Sequence, residues 1–258
     1  MALIVLLTDF GSKDYFVGTM KGVIAGINPV ARVIDLNHEV SPQNVEQAAF
    51  ELWASYRFFP EDTVFVAVVD PGVGTDRKII AARLDNRIYL VPDNGLIDYV
   101  AAESESLEFY LVENRKYFLS NVSSTFHGRD VFAPVAAYLS KGLHLNELGK
   151  PYSYRKAKKF YSKISSGINE SKVVYVDHFG NVFTGFLWND QLLSRRARLK
   201  LGKRSVTAFA LTYGNLPAKK LGGVYGSTGL LEIAVKNGNA ASLLGAEIGM
   251  KVRLTLQK

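Results

Sequence analysis

Four short stretches of this sequence carry residues that could do chemistry together: TDFG at 8–11, VVDPGVGTDR at 68–77, PDNG at 92–95 and STFHGRD at 124–130. Asp9, Asp70 and Asp93 each close an apolar run and are followed by a glycine two residues later. In a parallel α/β sheet, ligands bind beyond the carboxyl ends of the strands. Three carboxylates in that position predict a polar cleft, and the glycines let backbone approach a ligand closely. One such aspartate alone would read as a cap or turn former. Arg77 adds a guanidinium and His127 an imidazole, the latter in a glycine-containing loop just ahead of a helical pattern. The imidazole and the nearby backbone amides could face the same polar cleft. The bland alternative is an ion-pair network that only supports the loop.

Other chemistries find little support. The four histidines (His38, His127, His144, His178) and the carboxylates show no H-x-x-x-H or D-x-D ligand spacing. GVGTDRK is not the phosphate loop GxxxxGK[ST]. TDFG and HGRD echo protein-kinase signatures in reversed order, without the glycine-rich loop, and no G-x-S-x-G elbow is present.

The elements that must position these residues follow from periodicity. ALIVLLT, RVIDL and TVFVAVVD read as strands, with amphipathic helices over DYFVGTMKGVIAGI and over 41–58, the latter with Ser41 as N-cap and Pro42 in its first turn. This alternation implies right-handed crossovers and a mainly parallel sheet. KIIAARL and RIYLVPD form a hairpin around Asp85-Asn86, followed by a short helix near 96–102, a strand EFYLV and a helix in VFAPVAAYLSKG. After about residue 170 short strands separated by Gly, Asn and Lys turns predict a small all-β barrel. The expected organisation is an α/β N-terminal domain at 1–155, a basic linker at 156–170 and a C-terminal β-barrel domain at 171–258.

Hydrophobic residues make up 48% and charged residues 21% of 258, a globular rather than disordered balance. The chain lacks cysteine, which removes thiolate chemistry and suits an intracellular setting. MALIVLLTDF lacks a basic n-region and reads as a first strand, and no apolar span is long enough to cross a bilayer. A cytoplasmic location is expected. Lys+Arg 31 against Asp+Glu 24 gives +7, compatible with anionic partners. The densest run, YRKAKKFYSK at 154–163, reads as a solvated connector rather than a nucleic-acid stripe, because no nucleic-acid motif accompanies it.

TDFG, DPGVGTDR, PDNG, STFHGRD, DHFGN and STGLLEIAV in this order resemble the S-adenosylmethionine (SAM) hydroxide adenosyltransferase family, relatives of fluorinase and chlorinase, over residues 3 to about 257. The resemblance implies an α/β domain joined to a β-barrel, homotrimers with SAM held between the N-domain of one chain and the C-domain of its neighbour, and hydrolysis of SAM to adenosine and methionine. By position, Asp9 would hold the ribose hydroxyls, and Asp14 and Asp177 would meet the methionine end. Phe179 would stack on adenine and Asn181 bond its edge, with Ser227 at the methionine carboxylate and Glu232 close by. Asp70, Arg77 and His127 match the set that distinguishes water-using members. Where Asp70 stands, the halogenases carry an apolar residue, and Gly128 stands where fluorinase has a serine.

Chemistry agrees with that implication. A sulfonium departs as a neutral thioether, so neither general acid nor metal is needed for departure, and SAM is substrate rather than cofactor. Water must be aimed at C5′ and lose a proton. Asp70 and His127 are expected to bind and polarise it, with Arg77 locking Asp70. The alternatives are a halide-dependent adenosyltransferase, disfavoured by Asp70 and Gly128, and a SAM- or adenosine-binding protein without turnover.

Overall fold

The run LIVLL is apolar at every position, as a strand covered on both faces must be, and it forms β1 (Leu3–Thr8) at the heart of a six-stranded sheet. The computed structural model describes residues 3–155, 157, 159–194 and 196–257. The chain divides into two compact units, Met1–Lys158 and Lys159–Lys258.

In the first unit β1 is followed by α1 (Phe16–Ile27), β2 (Arg32–Asn37), α2 (Val45–Ser55) and β3 (Val64–Val68). A hairpin of β4 (Ile79–Leu84) and β5 (Arg87–Pro92) comes next, then α3 (Asp98–Ala101), β6 (Leu107–Leu111) and α4 (Ala133–Ser140). The strand order is β2-β1-β3-β5-β4-β6. Pairing is parallel from β2 through β5 and antiparallel for β4 with both neighbours, so the sheet is mixed. Asp85 and Asn86 turn the hairpin with φ of 45° and 63°, the two left-handed residues that a type I′ turn requires. Ile4 and Leu6 share a core with Met20 and Ile24 of α1 and Ala133, Val135 and Ala136 of α4. Val5 and Leu7 are equally buried, and α2 packs over β1. Helices on both faces leave the carboxyl ends of β1, β3 and β5 as the open edge.

The second helix starts later than its sequence pattern indicates. Gln43 takes a left-handed φ of 64°, which breaks the chain after Pro42. Asn44 then becomes the cap, its side chain accepting the Gln47 N–H at 3.0 Å. Gln47 reaches back to accept the Ser41 N–H at 3.1 Å, so Ser41 and Pro42 form the lead-in.

The second unit holds β7 (Gly167–Val176), β8 (Val182–Leu187), α5 (Gln191–Ser194), β9 (Ala197–Leu201), β10 (Arg204–Val206) and β11 (Phe209–Ala210). It continues with β12 (Leu221–Tyr225), β13 (Leu230–Val235), α6 (Ala240–Leu244) and β14 (Lys251–Leu256). Eight strands run in the order β10-β9-β14-β7-β8-β13-β12-β11, antiparallel except for β11 with β12. The sequence run SVTAFAL is not one strand: it splits into β10 and β11, which stand at opposite ends of that order. Two short helices interrupt the strands. The expected linker at 156–170 includes Lys156 and Lys158, which lie outside the described residues. From Ser162 the chain already hydrogen-bonds to Gly185 and Leu187 at 2.9 Å each.

Replacing Asn44 by Ala should cost about 0.5–2 kcal/mol of stability. Ser41→Ala should stay within about 0.5 kcal/mol, as surface changes away from caps do. Urea denaturation followed by far-UV circular dichroism checks both; equal losses would return the cap to Ser41.

Candidate active site

The loops leaving β1 and β3, the lead-in to α2 and the segment before α4 meet at the open edge of the first sheet. They enclose a cavity of about 320 Å³ lined by Asp9, Phe10, Phe16, Pro42, Gln43, Asp70, Val73, Phe126, His127 and Gly128, among others. Phe10, Phe16 and Phe126 pack mutually, with centroids 5.1–5.9 Å apart and Phe126 edge-on to the other two. A Cβ on Gly128 would lie 3.1 Å from the Phe10 ring and 3.2 Å from that of Phe126, so glycine lets these rings close over the cavity wall.

On the same wall Arg77 Nε donates to both carboxylate oxygens of Asp70, at 2.9 and 2.7 Å, and its Nη2 contacts Oδ2 as well. The two side chains are only 11% and 5% exposed. Arg77 Nη2 also lies 3.0 Å from His127 Nδ1. Arginine has no acceptor, so His127 Nδ1 accepts this bond and the ring is the neutral tautomer carrying its proton on Nε2. Burial and the adjacent Arg77 charge both hold the imidazole below its ordinary value, against the opposing pull of Asp70. The carboxylate, guanidinium and imidazole thus form one chain of contacts at the cavity.

Local sequence explains how two loops meet there. Gly74 has φ +79°, and a Cβ on it would fall 2.5 Å from the Ser124 carbonyl oxygen. Glycine therefore lets the 70–77 loop turn back against the 123–128 segment. His127 precedes a π-helical turn, Gly128–Phe132, a wide turn that often marks functional sites. Asp130 within it is fully buried. It accepts bonds from Arg129 Nε at 2.6 Å and Nη2 at 3.0 Å and from the Ser123 N–H at 2.8 Å. Burial alone would raise its carboxyl, and these donated bonds hold it below the usual range.

Asp9 also lines the cavity and accepts the Gln43 N–H at 2.7 Å, which is where the left-handed Gln43 acquires a purpose. Asp14 is exposed and is not among the lining residues. Asp93, at the end of β5, is engaged elsewhere: it accepts the Tyr152 hydroxyl at 2.6 Å.

The second unit gathers the remaining residues of interest around the β7–β8 turn and β13. Asp177 accepts the Asn181 N–H and side-chain amide, each at 2.8 Å. Gly180 closes the turn at φ +81°, and a Cβ there would strike Asn239 at 2.2 Å. Phe179 at the tip is 73% exposed. Glu232 is 1% exposed and accepts the Tyr213 hydroxyl. Burial pushes its carboxyl up to about 7; the Tyr213 bond works against this and the charge of Asp177 with it. A Cβ on Gly226 would lie 2.0 Å from Glu232 Oε1, so this glycine clears space for the carboxyl beside the turn that carries the exposed Ser227. In that turn Thr228 Oγ1 is buried without a hydrogen-bond partner among the described residues. Sequence reasoning passed over Thr228, Tyr213, Gln43 and the three-phenylalanine wall. Only the wall left a signal, in the spacing of Phe10 and Phe16 around the first helix start.

Comparison with known proteins places this architecture. Residues 4–149 match the SAM hydroxide adenosyltransferase N-terminal domain and residues 171–253 the C-terminal domain. The chain is 37% identical to an (R)-S-adenosyl-L-methionine hydrolase of Thermus thermophilus, over 98% of this chain and 100% of the relative. It is 31% identical to a fluorinase of an Actinoplanes species over 70% of each. A crystal structure of a conserved protein from Thermotoga maritima superposes with a TM-score of 0.89 at 36% identity, covering 98% of this chain and 99% of that one. The chain belongs to the SAM hydroxide adenosyltransferase family.

The raised carboxyl of Glu232 gives a signed prediction. Between its ordinary value of 4.5 and about 7, the folded state keeps a proton that the unfolded chain has released. Stability therefore falls as pH rises across that window and stays lower above it. Glu232→Gln should gain melting temperature over the wild type at pH 8, with the difference vanishing near pH 4.5. Thermal melts across pH 4.5–8 check this; a pH-independent difference would show that the carboxyl titrates normally.

Proposed function

We propose that the protein hydrolyses SAM to adenosine and methionine, with water attacking ribose C5′ in line with the departing sulfur. The observation that carries this reading is the buried Asp70–Arg77–His127 cluster on the wall of an aromatic-lined cavity, in a full-length relative of a named SAM hydrolase. That relative's name specifies the (R) epimer at sulfur, and we assign the same epimer as substrate.

Asp70 takes the nucleophile. A carboxylate offers about four lone-pair sites, so it can accept from a water while still bound by Arg77. It would repel a halide at the same place. Proton transfer to or from a positioned group contributes typically 10²–10⁴-fold, and holding water in line adds to this. His127 has Nδ1 occupied by Arg77, so in this arrangement it holds the guanidinium and offers only its Nε2–H; the base is Asp70. Departure of the neutral thioether asks nothing of a metal.

The remaining assignments belong to the same reading. Asp9 binds the ribose hydroxyls, Asp14 and Asp177 the methionine end, Phe179 and Asn181 the adenine, and Ser227 the methionine carboxylate, with Glu232 beside it. The exposed aromatic ring of Phe179 and the Asp177 carboxylate at the same turn, with the buried Glu232 in the same unit, support them. The site forms between the N-domain (1–155, parallel strands providing the edge) of one chain and the C-terminal barrel domain (171–258) of its neighbour in a homotrimer, with 156–170 as connector. The protein works in the cytoplasm; no described helix is long and apolar enough to cross a membrane.

Incubation with each sulfonium epimer in halide-free buffer, with products resolved by liquid chromatography, should give adenosine and methionine together from the (R) form. Asp70→Asn should lower kcat at least about 100-fold while SAM binding by calorimetry persists; an unchanged rate removes Asp70 from the mechanism. His127→Asn retains an acceptor in place of Nδ1 and should keep most of the activity that His127→Ala loses. If His127→Asn instead abolishes an acidic limb of the kcat/KM–pH profile present in the wild type, His127 is the base.

A further inference from the structure

The outward positions of three adjacent strands in the second unit form a field of cations. On β9, Arg198 and Lys200 are exposed between buried Ala197, Leu199 and Leu201. On β14, Lys251 and Arg253 alternate with buried Val252 and Leu254. Register then sets like charges side by side: Lys251 is directly opposite Lys172 of β7, and Arg253 directly opposite Lys200. Register thus concentrates positive charge on this face, and Glu170 pairs with one of these cations, accepting from Arg253 Nε at 3.0 Å and Nη2 at 2.6 Å.

Two grooves run over this face, of about 730 and 660 Å³, and share Lys200. The first also receives Lys159, Phe160 and Tyr161; the second adds Arg196 and Arg198. Among the described residues Glu170 is the one acid lining either groove. Along a strand the outward positions recur at about 6.6–6.8 Å, and neighbouring strands lie about 4.8 Å apart. That track is too long for one small anion and suits a chain of phosphates. At one end Phe160 and Tyr161 meet edge to face at 5.2 Å, with Lys159 Nζ 5.7 Å from the Tyr161 centroid. Aromatic rings beside a basic groove are the elements that bind unstacked bases.

We infer that this face of the second unit binds single-stranded nucleic acid, phosphates along Lys200, Arg253, Lys251 and Lys172 and bases against Phe160 and Tyr161. Only the second half of the basic run at 154–163, from Lys159 on, joins this face: Tyr154 and Arg155 are tied to Asp98 at 2.6 and 2.5 Å in the first unit, and the other cations come together through strand register. This surface is separate from the residues assigned to hydrolysis and does not depend on them.

Fluorescence anisotropy with a labelled 20-mer of deoxythymidine tests it on the full chain. Each neutralised phosphate of a single strand contributes a slope of about −0.7 in log K against log salt. Three to five contacts predict a loss of roughly 20- to 130-fold between 50 and 200 mM salt. The double variant Lys200→Glu/Lys251→Glu should bind at least about tenfold more weakly at 50 mM, with a shallower slope and unchanged SAM turnover. Tyr161→Ala should weaken the oligonucleotide but not inorganic polyphosphate used as competitor. No anisotropy change at 50 mM, binding that survives the double variant, or a duplex competing as well as the single strand would each overturn the assignment.

Discussion

One guanidinium holds the first unit's site together. Arg77 reaches a carboxylate at the end of β3 and an imidazole just ahead of α4, so a single buried cation ties two loops that sequence separates by fifty residues. Burying a charge is expensive unless it is paired and its hydrogen bonds are met. Here Nε and Nη2 are both paired, and because a guanidinium can only donate, it also dictates which nitrogen of His127 bears the proton. The surrounding loops are shaped to permit this. Gly74 removes the Cβ that would strike Ser124, and Asp130 gathers the chain from Ser123 to Arg129 around its buried oxygens.

The two units solve opposite electrostatic problems. In the first, the acid at the cavity wall has its cation built in. In the second, burial first and the charge of Asp177 after it raise Glu232, and the described residues show no ion pair to either acid. Burial wins over the Tyr213 hydrogen bond there, leaving a carboxyl whose charge state changes near neutrality.

Much of this was legible in the sequence, for identifiable reasons. Strands buried on both faces announce themselves as unbroken apolar runs, and Asp85-Asn86 can only be a tight turn between two of them. Asp70 could be singled out because strand ends have a fixed place in α/β sheets and His127 because its glycine loop precedes a helix, while their grouping with Arg77 followed from the family resemblance. What escaped is set by non-local geometry. Ser41 looked like a cap because nothing local reveals that Gln43 will turn left-handed to reach Asp9. Asp93 looked equivalent to Asp9 and Asp70, yet Tyr152, far along the chain, claims it. SVTAFAL reads as one strand, and its two halves pair with strands at opposite ends of the order. The bond that fixes the His127 tautomer is a matter of ångströms that no pattern encodes.

The π-helical turn at Gly128–Phe132 makes chain length a determinant of where His127 stands. A π turn holds one residue more than the α turn that could replace it. Deleting one residue there would let α4 wind on as a regular helix, each residue of which advances by about 100°. His127 would then swing round the helix axis and its Nδ1 would leave Arg77, although no side chain of the cluster had changed. Gain or loss of a single codon there would dismantle the Arg77–His127 contact while leaving every residue of the cluster in place, a change that comparing residue identities would overlook.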